Sequence, residues 1–445
     1  MKPLSEVEPR IAINATNTPG DADSVFKITQ GGSYYLTGNV VGVASKMGIE
    51  ISLLTSGSVT IDLEGFTVRG TGLSLAGIDI SGGSAARVEV RNGHVRGWSG
   101  VGVDLTGAES ATIDGVESSQ NNAGGFVVDS ATIRNCKADT NSASGFRAGT
   151  ATMISGSTAS ANSGAGFDTG TRCILTDCVA KSNTVNGFDV DSSCTLVNCT
   201  ATQNTGYGII AYLGCTLEGC VSSNNTGSGI SVNQSGTLTG CVVQENGSSG
   251  FTGGGNTVYQ SCVARQNGGS GFVTSFSQLT ECLSVGNTGD GFSLGGITNV
   301  SKSTALSNSG HGISGGGAML IVECSSMYND GHGISMTLMG NTIRGNLCVG
   351  NGQGSSPGAG IHTENIGHRI EDNMCRENDI GIDVDGTRAI IVRNNCTGNA
   401  TNWSIAANNS YGPIIDRSAA ATAGVSGNAA ASTLATTDPN ANFTN

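Results

Sequence analysis

The sequence predicts an all-β chain wound as a single-stranded, right-handed parallel β-helix, a solenoid of about 21 residues per coil, on the strength of three recurrences in register. Asn recurs at 141, 162, 183, 204, 225, 246, 267, 287, 308, 329, 351, 378 and 399, so nine of the twelve intervals equal 21. Gly followed by Phe or Ile keeps the same step, from Gly145-Phe146, Gly166-Phe167 and Gly187-Phe188 to Gly312-Ile313 and Gly333-Ile334. Cys does likewise at 136, 178, 199, 220, 241, 262, 282 and 324. Composition agrees with this: 70 glycines in 445 residues, 4% aromatic and 12% charged residues leave too little charge to cover the outer faces of helices.

Each unit holds short apolar and polar alternations between turn residues, as in Ala131-Thr-Ile-Arg-Asn-Cys-Lys-Ala-Asp-Thr-Asn141. Alternation signals strands, and no helical period survives through a unit. A unit this short cannot bury its own apolar residues. It must stack on its neighbours at about 4.8 Å per coil, like over like. Phe146, Phe167 and Phe188 are then expected to stack inside, the Asn side chains to bond to backbone and to one another along a turn, and Gly to supply positive φ at the corner. Cys173, Cys194 and Cys215 form a second cysteine column. In-register side chains point the same way, which suits disulfide geometry poorly, so most of the 14 cysteines are expected as buried thiols, the alternative being that some pair covalently.

Along the chain, residues 1–49 read as an irregular N-terminal segment and cap, within which Gly32-Ser-Tyr-Tyr-Leu-Thr-Gly38 opens the first strands. Residues 50–416 read as the β-helix, and 417–445, where the period is lost, as a low-complexity C-terminal tail. Extra residues from Gly352 to Gly360 interrupt one corner, and an inserted loop on a solenoid is expected on a working face.

A net charge of −13 argues against nucleic acid as partner and makes any polyanionic glycan depend on a cation or a local basic patch. No stretch approaches the roughly 18 apolar residues of a membrane span, so no membrane partner is expected. The opening MKPLSEVEPR carries no apolar leader core, which reads as the mature or trimmed form of an exported protein, or as a cytosolic one.

The recurring Ile-x-x-Cys-x-Ala-x-x-Asn-x-x-x-Gly-Phe or Ile unit, across roughly residues 50 to 400, resembles the repeats of the pectate-lyase-like β-helix superfamily, including its NosD-like and carbohydrate-binding or sugar-hydrolase group. Glu6-Val-Glu-Pro-Arg10, Gly32 to Gly38 and Asp438-Pro-Asn-Ala-Asn-Phe443 also resemble exported bacterial β-helix proteins. The resemblance implies an extracellular protein, monomer or homotrimer, that binds or processes polysaccharide by lyase, glycoside hydrolase or uronate epimerase chemistry, or as a non-catalytic binding module. The alternative is a structural or adhesive surface or fibre protein, which regular Ser, Thr and Gly faces also fit. The pectate-lyase Arg and Asp motifs and the Asp-Pro-His-Asp motif of alginate epimerases find no match here.

Residues one and three places after the inward Phe or Ile point outward, and that column holds two clusters. Arg147, Asp168, Asp189, Asp191 and Tyr212 fall on four consecutive coils as candidate substrate-binding residues. Neighbouring carboxylates raise a pKa or call in a cation, so Asp168, Asp189 and Asp191 are candidate Ca2+ ligands or an acid and base on a sugar. The competing reading is a solvated face in which Arg147 offsets Asp168.

His362, Glu364, Asp383 and Asp385, with Arg388, form the candidate catalytic cluster directly after the inserted loop, and His368 and Arg369 lie nearby in sequence. His362 is expected beside Asp383, and Glu364 beside Asp385. A carboxylate-oriented His moves protons near neutral pH, and an Arg can neutralise a uronate carboxylate. Charged decoration is the competing reading. His311 and His332 share one turn position and read as ordinary corner residues, two ligands making a weak metal site.

Overall fold

The computed structural model describes residues 10–53, 57–81, 86–354, 357–416 and 437–444. Its regular elements are all strands, and no helix among the described residues is long and apolar enough to cross a membrane. The chain falls into two compact units, Met1–Ser231 and Val232–Asn445. In each, strands pair in parallel with their counterparts one coil on, as in Phe146↔Phe167↔Phe188 of the first and Phe251↔Phe272↔Phe292 of the second.

One coil shows how the sequence is spent. The strands Met153–Ser155, Thr158–Ser160 and Phe167–Thr169 are three residues each, and each is followed by a corner. Phe167 turns inward and stacks between Phe146 and Phe188, with ring centroids 4.7 and 4.8 Å away. At the turn before it, Asn162 donates its backbone N–H and its Nδ2 to Asn183 Oδ1, at 3.1 and 3.0 Å, and Nδ2 also reaches the carbonyl of Ala138 at 3.1 Å. The same bonds run from Asn121 to Asn225 in the first unit and from Asn246 to Asn399 in the second, so the turn's buried N–H groups are satisfied by side chains rather than water.

Glycine acts differently from the expectation. Gly166 and Gly187 do not have positive φ; the corners turn on single left-handed residues that are mostly not glycine, such as Arg172, Asp177 and Ser182. What Gly187 supplies is room. A Cβ there would lie 2.6 Å from the carbonyl oxygen of Gly208 and 2.7 Å from Asn204 Nδ2. The Asn ladder and the aromatic stack thus meet over a position that tolerates no side chain.

All fourteen cysteines are buried thiols, as the in-register columns predict. Cys178, Cys199 and Cys262 donate Sγ–H to the carbonyls of Ile154, Leu175 and Leu238, each at 3.5 Å. Where this column lacks cysteine, Ser157 and Ser303 bond to local carbonyls, and Asn346, Asn373 and Asn394 form a second ladder that the sequence reading missed.

The ends also differ from the expected boundaries. Strands begin well before residue 50: Ile11–Ile13 pairs with Gly32–Leu36, and Ser24–Ile28 with Met47–Ile51, so the region read as a cap is already coiled in parallel. Residues 1–9 and 417–436 lie outside the described residues. Within the segment read as a tail, Asn442–Thr444 is a strand, paired with Asn395–Thr397 and Ile414–Asp416. The reason is a ladder position regained after 48 residues: Asn442 Oδ1 accepts the N–H of Asn394 at 3.0 Å.

The outward column of the first unit begins with Lys27, Glu50, Asp79 and Asp104 in register. Lys27 pairs with Glu50 at 2.9 Å. Burial, then the charges of Asp104 and Glu50, push the Asp79 carboxyl up to about 7. A carboxyl raised above its unfolded value of 3.8 keeps a proton that the unfolded chain gives up, so folding loses stability as pH rises from there to about 7. Asp79→Asn is therefore expected to leave stability at pH 4 unchanged and to raise it by about 1–2 kcal/mol at pH 8, a figure reduced for partial exposure. Denaturant titrations at the two pH values check this; an equal change at both would refute the charge argument.

Candidate functional site

The five outward residues singled out first come together. Arg147, Asp168, Asp189, Asp191 and Tyr212 line one open cleft of about 790 Å³ in the first unit, with Asp129 at its side. Strand register sets Arg147 against Asp168 and Asp168 against Asp189, and the row ends on Val127 and Ile210. Burial and the Asp189 charge raise the Asp168 pKa, and Arg147 lowers it by less. Among the described residues Arg147 makes no ion pair with Asp168 within 4.0 Å, although the two are register partners. Burial likewise raises Asp189, against a 3.0 Å bond from Asn186 Nδ2.

The expected metal trio does not form. Asp168, Asp189 and Asp191 are not among the side chains that bring three ligand atoms within 4.8 Å of one another. The strand Phe188–Val190 stops short of Asp191, whose carboxylate turns to the backbone N–H and hydroxyl of Ser192 at 2.6 and 3.0 Å. Beneath the cleft, Cys173, Cys194 and Cys215 donate to the carbonyls of Gly149, Gly170 and Asp191 at 3.1, 3.2 and 3.1 Å. The second thiol column therefore ties down the backbone that forms the cleft wall.

Residues 76–217, which include these coils, match the family model described as right handed beta helix region. The chain is a right-handed parallel β-helix. Among solved structures it is similar to the A-module of the Azotobacter vinelandii mannuronan C-5 epimerase AlgE4, at 14% identity over 85% of this chain and 91% of that one, with a TM-score of 0.31. It is also similar to pectate lyase Pel9A, at 15% identity over 72% and 80% with a TM-score of 0.25. A tailspike protein mutant of E. coli bacteriophage HK620, in complex with a hexasaccharide, matches at 12% identity over 76% and 73% with a TM-score of 0.27. No curated protein matches the chain.

The second cluster lies in the β-helix's other unit, on the strands Ala359–Thr363 and Ile380–Val384. His362 stands opposite Asp383 as expected, with Nδ1 3.1 Å from Asp383 Oδ2, and its Nε2 is 3.5 Å from Glu364 Oε1. The Asp383 carboxylate raises His362, and the His362 partner lowers Asp383. Glu364 and Asp385 are exposed, one residue beyond the paired Thr363 and Val384. Part of the inserted loop, Ser355 and Ser356, lies outside the described residues.

Three nearby residues do not join the cluster. Arg388 is an exposed corner residue in the left-handed region, with no side-chain bond to the cluster among the described residues. Arg369 pairs with Glu371 on another strand. His368 is buried and structural: it takes a bond from Asn341 Nδ2 at 3.3 Å and donates from Nε2 to the carbonyl of Glu364, and burial lowers its pKa. Sequence proximity placed these three, but the corners carry their side chains elsewhere.

The His311 and His332 rings stack, as their shared turn position implies; what the sequence reading missed is that the column continues onto His362. The His311 and His332 rings stack at 5.0 Å, and the His332 and His362 rings at 4.5 Å. His311 Nδ1 accepts the N–H of His332 at 2.9 Å, and His332 Nδ1 accepts that of Ala359 at 2.8 Å. Both rings are thereby fixed with the proton on Nε2, and burial first, then the neighbouring His362, hold His332 down at about 4. The paired Gly-His-Gly corners at 310–312 and 331–333 were the available signal. His362 sits three residues further along its coil, so period alone could not add it.

Proposed function

We propose that this protein binds an extended polysaccharide along the outward strand face of its first unit and hydrolyses it between Asp168 and Asp189. The observation that carries the reading is the cleft itself, in which two carboxyls with raised pKa values stand on adjacent strands between a cation and an exposed aromatic ring. Strands lie about 4.8 Å apart, and carboxyls so close resist ionising together. One therefore gives its proton to the leaving glycosidic oxygen while the other, as an anion, bonds to the sugar carbon; water, deprotonated by the first, then displaces that carboxylate and frees the sugar. Arg147 holds a hydroxyl or carboxylate of the chain, and Tyr212, 41% exposed, offers a ring face to a sugar. A polymeric substrate of this kind carries export with it.

Asp168→Asn and Asp189→Asn are each expected to cut turnover by at least about 100-fold while glycan retention in affinity gels persists, and Arg147→Ala to weaken retention. The assay is release of reducing ends and of unsaturated products from a panel of neutral and acidic polysaccharides. Products at wild-type rate from the double Asp variant would sink the catalytic roles. Retention without products would make the cleft a binding module, and a protein silent in both would be a structural surface component.

A further inference from the structure

We propose that His362, Asp383 and Asp385 form a site for one divalent transition-metal ion of the Zn2+ or Mn2+ class, separate from the glycan cleft. Each residue offers a ligand atom, and the three atoms lie within 4.8 Å of one another. His362 Nδ1 and Asp383 Oδ2, 3.1 Å apart, lie near the edge of about 3.4 Å that two ligands span at bonds of about 2.1 Å in a tetrahedral shell. Register explains the first pair, since His362 and Asp383 are cross-strand partners; Asp385 follows one residue beyond the strand, and its carboxylate lies within 4.8 Å of both.

The donor set selects the ion. One imidazole nitrogen favours a transition metal over Ca2+, which prefers an all-oxygen shell, and two carboxylates neutralise a divalent charge beside a half-buried strand. Three protein ligands leave a coordination position for water or a substrate oxygen, on the side where Asp385 is exposed.

The surroundings hold these ligands in place. His362 is 8% exposed, and its ring rests on His332, whose orientation is fixed by the Ala359 N–H and by the His311 ring below. Glu364 Oε1 lies 3.5 Å from the Nε2 nitrogen, as a carboxylate that orients a ligating imidazole does. On the next strand Ser404 is the register partner of Asp383.

Calorimetric titration of the whole protein with ZnCl2, MnCl2 and CaCl2 tests this. One Zn2+ or Mn2+ ion per chain is expected, with affinity lowered at least about 100-fold in His362→Ala and Asp385→Asn. His94→Ala, which removes a half-exposed imidazole of the first unit, is expected to change nothing. Asp385 is exposed, so its variant keeps the fold, as an unchanged circular dichroism spectrum will verify. Unaltered binding by Asp385→Asn, no heat up to about 1 mM metal, or Ca2+ bound as tightly as Zn2+ would each overturn the site.

Discussion

Asn183→Ala is expected to lower the stability of the first unit by about 3–5 kcal/mol, read as a fall in the denaturant midpoint at unchanged slope. The side chain is fully buried and makes four bonds. Its Oδ1 accepts the backbone N–H and Nδ2 of Asn162 at 3.1 and 3.0 Å, and its Nδ2 donates to Asn204 Oδ1 at 3.0 Å and to the carbonyl of Ala159 at 3.2 Å. Truncation leaves donors and acceptors on the two flanking coils short of partners where water has no access. Each such group costs about 1–3 kcal/mol, and relaxation recovers part of the sum. Thr184→Ala, one residue along at an exposed position, serves as the control. A loss below about 1 kcal/mol would mean that the turn finds other partners and that the ladder is not what holds the coils in register.

Phe167→Ala is expected to destabilise by a similar amount, about 3–5 kcal/mol, for a different reason. The ring has no exposed surface and is stacked on both faces, so its removal forfeits transfer energy and leaves a gap between Phe146 and Phe188 that rigid three-residue strands cannot close. Phe167→Leu should recover most of the loss, because volume rather than aromaticity is what the stack requires of this position. If Leu were as damaging as Ala, the ring-on-ring geometry would carry the energy instead.

These two columns were legible in the sequence because a fixed period assigns both neighbours and facing direction: once Asn162, Asn183 and Asn204 are equivalent, so are Phe146, Phe167 and Phe188. The same rule found the cleft, since Arg147, Asp168 and Asp189 follow the inward aromatic by one residue each. It failed where the backbone leaves the strand. Asp191 lies one residue beyond Val190 and turns to Ser192, which dissolved the expected cation trio. Arg388 and His368 are corner residues, and neither shares the face of His362.

The last step of the imidazole column was hidden for a related reason, because stacking of His332 on His362 joins positions that are not equivalent by period and depends on side-chain torsion. Glycine was misread because a sequence reports a missing Cβ without saying whether torsional freedom or space requires it. At Gly187 the carbonyl of the next coil decides for space.

The thiol columns have a practical consequence. With Cys136, Cys178, Cys199 and Cys220 on separate coils of one unit and Cys241, Cys262, Cys282 and Cys324 on separate coils of the other, each is shielded from solvent by its own turn. A short pulse of an alkylating reagent under mildly denaturing conditions, followed by peptide mapping, would therefore report which segment opens first, and the chain comes with these local probes already installed.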